Sequence, residues 1–210
     1  MKQFVYNVSE FGKRIVLTFT PFLVYYVAVL ILLAPPVSGL LSDSNEQRIK
    51  TAITKKILTE YCADKKLAAL FIKVGRLHNI DPFFLCSVTN ANSKFEADKI
   101  TEKENGVKLV GLMQINAADY PSYQQKNLLD PEINLKLGAV ELRRAMDYGK
   151  GHMIKTLAVY YNDSLDLPST KKYGQSTLDF IENVRKFYSD IQRSEKLYIQ
   201  ENYDLFRAEK

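Results

Sequence analysis

The chain has no tryptophan, only two cysteines and only two histidines among its 210 residues. Each shortage removes a class of chemistry. His78 and His152 stand far apart with no ligand-type spacing around them, which excludes a histidine-rich metal site. So few histidines also leave no credible Ser-His-Asp relay. Cys62 and Cys86 are too few for a disulfide framework. Both fall in predicted helices and read as buried thiols, with a single bridge open to them in an oxidising compartment. A net charge of +5 at pH 7 is too mild for a nucleic-acid surface. There is no glycine-rich phosphate loop, no alternating strand pattern and no internal repeat. What remains is an ordinary globular composition, 46% hydrophobic and 25% charged. The 13 tyrosines and 11 phenylalanines suit a core and sugar contacts equally.

The front end differs from the rest. Ile15–Leu33 is a 19-residue run without charge. As a helix it would be about 28 Å long at 1.5 Å per residue, close to the roughly 30 Å of membrane hydrocarbon. Lys13 and Arg14 immediately before it favour a cytoplasmic amino end. Residues 1–41 are therefore expected to be a membrane anchor, with a cleaved signal peptide as the alternative because Val37-Ser38-Gly39 offers small residues. Either way the remainder is expected to lie outside the cytoplasm. Pro35-Pro36 and the polar Ser42-Asp43-Ser44-Asn45 separate the run from the body of the chain.

From Glu46 the pattern predicts helices joined by short loops. Ile49, Ile53 and Ile57 share one face of a leading helix, with residues 42–66 read as linker plus that helix. Leu67, Leu70, Phe71, Val74 and Leu77 repeat at three and four residues, and the helix they form stops near His78-Asn79. Asp81-Pro82 opens another, since Asp caps free N–H groups and Pro is tolerated in the first turn. Leu85, Val88 and Asn92 then come at i, i+3 and i+7, placing Asn92 on the inward face near the helix end. A buried amide there needs partners, so a polar cleft is expected around it. Asp130-Pro131 repeats the start signal for a helix carrying Ile133, Leu137, Val140 and Arg144 and ending by Gly149. Ile154–Tyr161 is a short apolar helix, and Thr177 to about Ile191 a longer striped one. Residues 193–210 read as a charged tail, leaving 67–192 as the main domain.

Four segments then fall into a recognisable order. They are Asp81 to Phe95, Gly111-Leu112-Met113-Gln114-Ile115, Asp130 to Gly138, and Ala158 to Asn162 with Thr177 to Ile181 after it. Together they resemble the lytic transglycosylases of the soluble-lytic type (SLT), relatives of goose lysozyme, over roughly residues 78–188. The resemblance implies an all-α, lysozyme-like helical domain, which the apolar run at 15–33 would precede as one transmembrane helix. It also implies a groove for the peptidoglycan glycan strand, with no metal and no cofactor. Its substrate-binding residues would be Ser93, Gly111, Leu112, Met113, Gln114, Tyr161 and Asn162. In the family one Glu protonates the bond between N-acetylmuramic acid and N-acetylglucosamine. It then accepts the muramyl 6-hydroxyl proton as a 1,6-anhydro ring closes.

That Glu precedes the Ser of the motif, and here the position holds Asn92. A general acid needs a titratable proton near the working pH, and a carboxamide has none. Asn is also one methylene shorter than Glu. Ser176 replaces a further family Glu, and Asp163-Ser164 replaces a glycine-bearing turn. The sequence therefore points to a domain that grips glycan with impaired or absent cleavage. One alternative is an active enzyme using Glu96, Glu102 or Glu104 from the intervening loop. The other is a scaffold in an envelope-spanning secretion, pilus or flagellar assembly. Nucleic acid is not an expected partner, whereas the cytoplasmic membrane is, through residues 15–33.

Overall fold

A computed structural model describes residues 37–164 and 173–202, with side chains from residue 45 onward. The chain divides into two compact units, Met1–Arg48 and Ile49–Lys210. The expected membrane span, 15–33, lies outside the described residues. Among the described residues no helix is long and apolar enough to cross a membrane.

The elements in order are α1 (Val37–Cys62), α2 (Lys65–His78), α3 (Pro82–Ser93), β1 (Ile100–Glu102), β2 (Lys108–Val110) and β3 (Ile115–Asn116). A 3-10 turn at Ala117–Asp119 comes next, then α4 (Gln125–Leu128), α5 (Pro131–Gly149), α6 (Met153–Asn162) and α7 (Gln175–Glu201). In the second unit α2 packs on α3 and α5, α3 and α6 pack on α7, and α5 packs on α6. The core between them holds Ile57, Leu58, Phe71, Leu85, Leu112, Met113, Leu135, Leu142, Leu157 and Ile191, all essentially inaccessible.

Aspartates start three of these helices by the same device. Asp64 accepts from the backbone N–H groups of Lys66 (2.7 Å) and Leu67 (3.2 Å). Asp81 accepts from Phe83 N–H at 2.9 Å and Asp130 from Ile133 N–H at 2.9 Å, each with Pro at the first helical position after it. Each cap stabilises by about 1 kcal/mol. The ends are also marked: Asn79, Lys94, Lys150 and Asp163 all take the left-handed conformation after α2, α3, α5 and α6. After α3 two successive residues do so, Lys94 (φ 56°) and Phe95 (φ 67°). An aromatic residue there costs about 1–3 kcal/mol. Edge-on contact with Phe71 (centroids 6.2 Å apart) and packing on Phe187 (6.0 Å) hold it.

Two expectations are corrected. The domain is mostly helical rather than all-α, because β1, β2 and β3 form an antiparallel sheet in that order. Ile100 pairs with Val110, and Leu109 with Asn116. Strands of two or three residues, with β1 wholly exposed, are too short to show alternation. Secondly, Leu77 and Val140 face solvent at 65% and 52% exposure. The buried row of α5 is Asn134, Leu135, Gly138, Ala139, Leu142 and Ala145, displaced from the stripe that hydrophobicity alone suggested. The charged stretch after Arg193, for which a terminal helix is one expectation, is helical as far as Glu201 in α7. Ser194 and Tyr61 hydroxyls, 2.8 Å apart, join that extension to α1.

The α2–α3 corner depends on Gly75. A Cβ there would lie 2.7 Å from the Ile80 carbonyl oxygen and 3.2 Å from Pro82 Cγ. Gly75→Ala gains about 1 kcal/mol of helix propensity but forces overpacking worth about 1–3 kcal/mol. The variant is expected to unfold at lower urea concentration than the wild type. A raised midpoint would show that the corner yields freely.

Candidate functional site

The site forms where the end of α3 meets the sheet and α6. Asn92 lies in the last turn of α3, half-buried. Its Nδ2 donates to the Tyr160 hydroxyl at 3.1 Å, and that hydroxyl donates in turn to the Met113 carbonyl at 3.1 Å. Lys99 Nζ donates to the Asn92 carbonyl at 2.9 Å. The paired left-handed residues after α3 turn the chain back so that Lys99 can make this contact. Its ammonium then sits at a helix C-terminus, the end that favours a cation.

The turn Gly111–Gln114 forms the facing wall. Gly111 (φ 75°) and Gln114 (φ 50°) are left-handed, and Gly111 N–H donates to the Lys99 carbonyl at 2.8 Å. Gln114 Nε2 donates to the carbonyls of Gly111 (2.8 Å) and Lys99 (3.2 Å), while its Oε1 accepts from Thr101 Oγ1 at 2.6 Å. Asn134, fully buried on α5, fixes this turn from behind. Its Oδ1 accepts from Met113 N–H at 2.7 Å, and its Nδ2 donates to the carbonyls of Val110 (2.8 Å) and Leu128 (2.7 Å). Gly111 and Gly138 are both pressed so closely, against Asn134 and Met113 respectively, that neither has room for a Cβ.

The structure thus brings Asn92, Gly111, Met113 and Gln114 to one place. Ser93 is buried instead, its Oγ turned back to the Thr89 carbonyl at 3.3 Å. Leu112 is a core residue. Met113 presents its backbone, while its sulfur accepts from Thr89 Oγ1 at 3.0 Å. It is Tyr160, not Tyr161, that reaches Asn92. Tyr161 stacks on Phe180 with centroids 4.8 Å apart and stays part-exposed. Asn162 Nδ2 donates to the Ala158 carbonyl (2.8 Å) and to Thr177 Oγ1 (3.2 Å), tying α6 to the start of α7.

Among the acidic candidates, Glu96, Glu102 and Glu104 are all exposed, with Glu102 4.0 Å from Lys108 across the hairpin. A different carboxyl is partly buried. Glu141 on α5 accepts from the Tyr120 hydroxyl at 2.7 Å. Burial is the main cause that pushes its pKa upward. Asp163 and Asp119 add to the rise, while Tyr120 and Arg144 oppose it. Burial likewise pushes the Tyr160 phenol up, aided by the charge of Glu141, so it stays protonated. Sequence reading missed Glu141, Tyr160, Tyr120 and Lys99. A usable signal did exist for the first: Asn134, Gly138 and Glu141 are spaced i, i+4 and i+7 and share a helix face. Among the described residues no group of three or more His, Cys, Asp or Glu is placed to hold a metal.

The profile of the family described as "Transglycosylase SLT domain" matches residues 69–179, more than half of the chain. Comparison with curated proteins gives no match. Among solved structures, an inactive mutant of the lytic transglycosylase Slt from Pseudomonas aeruginosa is similar, at 16% identity and a TM-score of 0.49. The alignment covers 60% of this chain and 24% of that one, so the chain spans about a quarter of that protein's length.

Asn134 is the side chain on which the Gly111–Gln114 wall rests. Asn134→Ala leaves one buried N–H and two buried carbonyls without partners, each worth about 1–3 kcal/mol. Urea unfolding is expected to show a loss of roughly 3 kcal/mol or more. A loss below about 1 kcal/mol would mean that the turn is held by other contacts.

Proposed function

The chain belongs to the transglycosylase SLT domain family, and on that premise we propose that its cleft binds peptidoglycan glycan strands while position 92 no longer delivers a proton. The observation that carries this reading is the amide of Asn92. It occupies the cleft end of α3, hydrogen-bonded to Tyr160, where the family motif calls for a carboxyl. An amide keeps hydrogen bonding and loses proton transfer, a step worth about 10²–10⁴-fold.

The surroundings support retained binding. The turn Gly111–Gln114 is fully braced by Asn134 and by Gln114 itself. The domain also carries part-exposed aromatic rings, with Tyr123 edge-on to Tyr120 and Tyr161 stacked on Phe180. Such pairings of ring faces with hydrogen-bonding groups suit sugars, which offer apolar faces and hydroxyl edges together. This reading also puts the domain on the outer side of the cytoplasmic membrane, tethered through residues 15–33.

Purified sacculi test it directly. The full chain in detergent is expected to pellet with sacculi and to release little 1,6-anhydro product by mass spectrometry. Asn92→Glu is expected to raise that product by about 10²-fold or more. Failure to pellet with sacculi removes the glycan-binding reading. A folded Asn92→Glu protein that binds but cuts no faster would show that position 92 is not the acid position of this cleft.

A further inference from the structure

Position 92 lacks an acid, yet the cleft retains one carboxyl that glycan binding leaves unused. We propose that Glu141 is the proton donor and acceptor of this cleft, standing in for the amide at position 92 and sustaining slow strand cleavage. The inference rests on the glycan-binding reading and adds a reacting group to it.

Placement comes first. Asn134, Gly138 and Glu141 lie along one face of α5. The first binds the backbone of the Gly111–Gln114 turn and the second packs on Met113. Glu141 therefore continues the face that already forms the back of the cleft wall. The Tyr120 hydroxyl fixes one carboxyl oxygen at 2.7 Å. The Glu141 charge also acts on the Tyr160 phenol, and Tyr160 accepts the hydrogen bond from Asn92. One phenol thus links the missing acid's position to the carboxyl that remains. The loop candidates have no such placement, since Glu96, Glu102 and Glu104 are exposed on or beside the hairpin.

The electrostatics fit the role. Asp119 and Tyr120 face Glu141 from the 3-10 turn, Arg144 from α5, and Asp163 and Tyr160 from α6 and its cap. Arg144, the only cation among them, is itself paired with Asp163 at 2.6 Å. Burial and the two aspartates outweigh Tyr120 and Arg144, so the carboxyl holds its proton to higher pH than an ordinary glutamate. A general acid gains from that shift.

The step balances within the substrate. Protonated Glu141 gives its proton to the glycosidic oxygen as the bond from that oxygen to muramyl C1 breaks, the electron pair leaving with the oxygen. The oxygen becomes the 4-hydroxyl of the departing sugar. The carboxylate then takes the proton of the muramyl 6-hydroxyl while O6 bonds to C1. Glu141 ends protonated, and no water or other reactant is consumed.

The experiment uses the full chain in detergent with sacculi, reading bound protein and 1,6-anhydro product separately. Slow product release by the wild type is expected to fall about 10²–10⁴-fold in Glu141→Gln, while sacculus binding persists. Gln keeps an acceptor for Tyr120 and removes a charge that burial disfavours, so the variant is expected to fold. In Tyr120→Phe the carboxylate loses a donor, so the alkaline limb of the pH profile should move to higher pH. Asn92→Glu combined with Glu141→Gln should cut as Asn92→Glu does. The proposal is overturned if Glu141→Gln cuts like the wild type, or if the wild type binds sacculi and gives no product. It is also overturned if Glu141→Gln silences the Asn92→Glu protein, because Glu141 would then be shaping the cleft rather than reacting. Loss of sacculus binding by the wild type would instead remove the underlying reading.

Discussion

A single buried amide organises the cleft. Asn134 uses its oxygen and both amide hydrogens on three backbone groups that belong to three different segments: Met113 in the turn, Val110 at the end of β2, and Leu128 at the end of α4. A buried backbone group left unpaired costs about 1–3 kcal/mol, so these segments are strongly held in one relative position. Asn suits the task because it offers an acceptor and a two-hydrogen donor on a short, stiff stem. Aspartate offers no donor to the two carbonyls, and glutamine is too long for a site in which Gly111 already abuts the amide. The glycines at 111 and 138 answer the same constraint, because the turn and α5 can approach closely only where neither carries a Cβ.

The surface charges do little by comparison. The pairs Lys56–Glu60, Lys73–Glu132 and Lys136–Glu132 are exposed, and such pairs contribute about 0–1 kcal/mol each. Glu132 is held down to about 2 by hydrogen bonds from Lys136 and Lys73 on a part-exposed face. The informative charges are the few in or beside the cleft. Lys99 stands at the end of α3, and Glu141 is part-buried and accepts from the Tyr120 hydroxyl. The two buried thiols belong to the core as well. Burial pushes Cys62 and Cys86 up, so neither is a ready thiolate.

What could be read from the sequence, and what could not, divides along physical lines. Helix starts were legible because Asp-Pro pairs act locally, and Asp81 and Asp130 cap where their neighbours alone predict. The inward position of Asn92 was legible because periodicity along α3 needs no knowledge of other elements. The sheet was not, since β3 has two residues and its pairing with β2 is set by Asn134 and the left-handed Gly111 and Gln114 rather than by strand propensity. Glu141 was not singled out because its meaning is tertiary. It becomes a partly buried group only once the 3-10 turn places Tyr120 over it. The choice between Tyr160 and Tyr161 was likewise beyond a motif match. It turns on which side of α6 faces α3, and it is the Tyr160 hydroxyl that meets Asn92.

The hydrogen bonds at position 92 show how an amide is accommodated there. The Tyr160 proton is committed to the Met113 carbonyl, so the phenol oxygen has only lone pairs to offer α3. Whatever stands at position 92 must donate. An ionised carboxylate cannot, and it would compete with Met113 for the phenol's proton. A protonated carboxyl can, and so can an amide. The cleft is therefore built for a side chain in its protonated, donating form, which is the state a general acid must hold before it reacts. Asn92 satisfies that requirement permanently and at every pH, with Nδ2–H in the donor's place. Lys99 acts in the opposite sense, since a cation beside the helix end favours ionisation. An acid at position 92 would be held between these two influences, its protonated form favoured by Tyr160 and its ionised form by Lys99. The amide escapes both, so the turn, its brace and the phenol keep their hydrogen bonds with Asn92 in place.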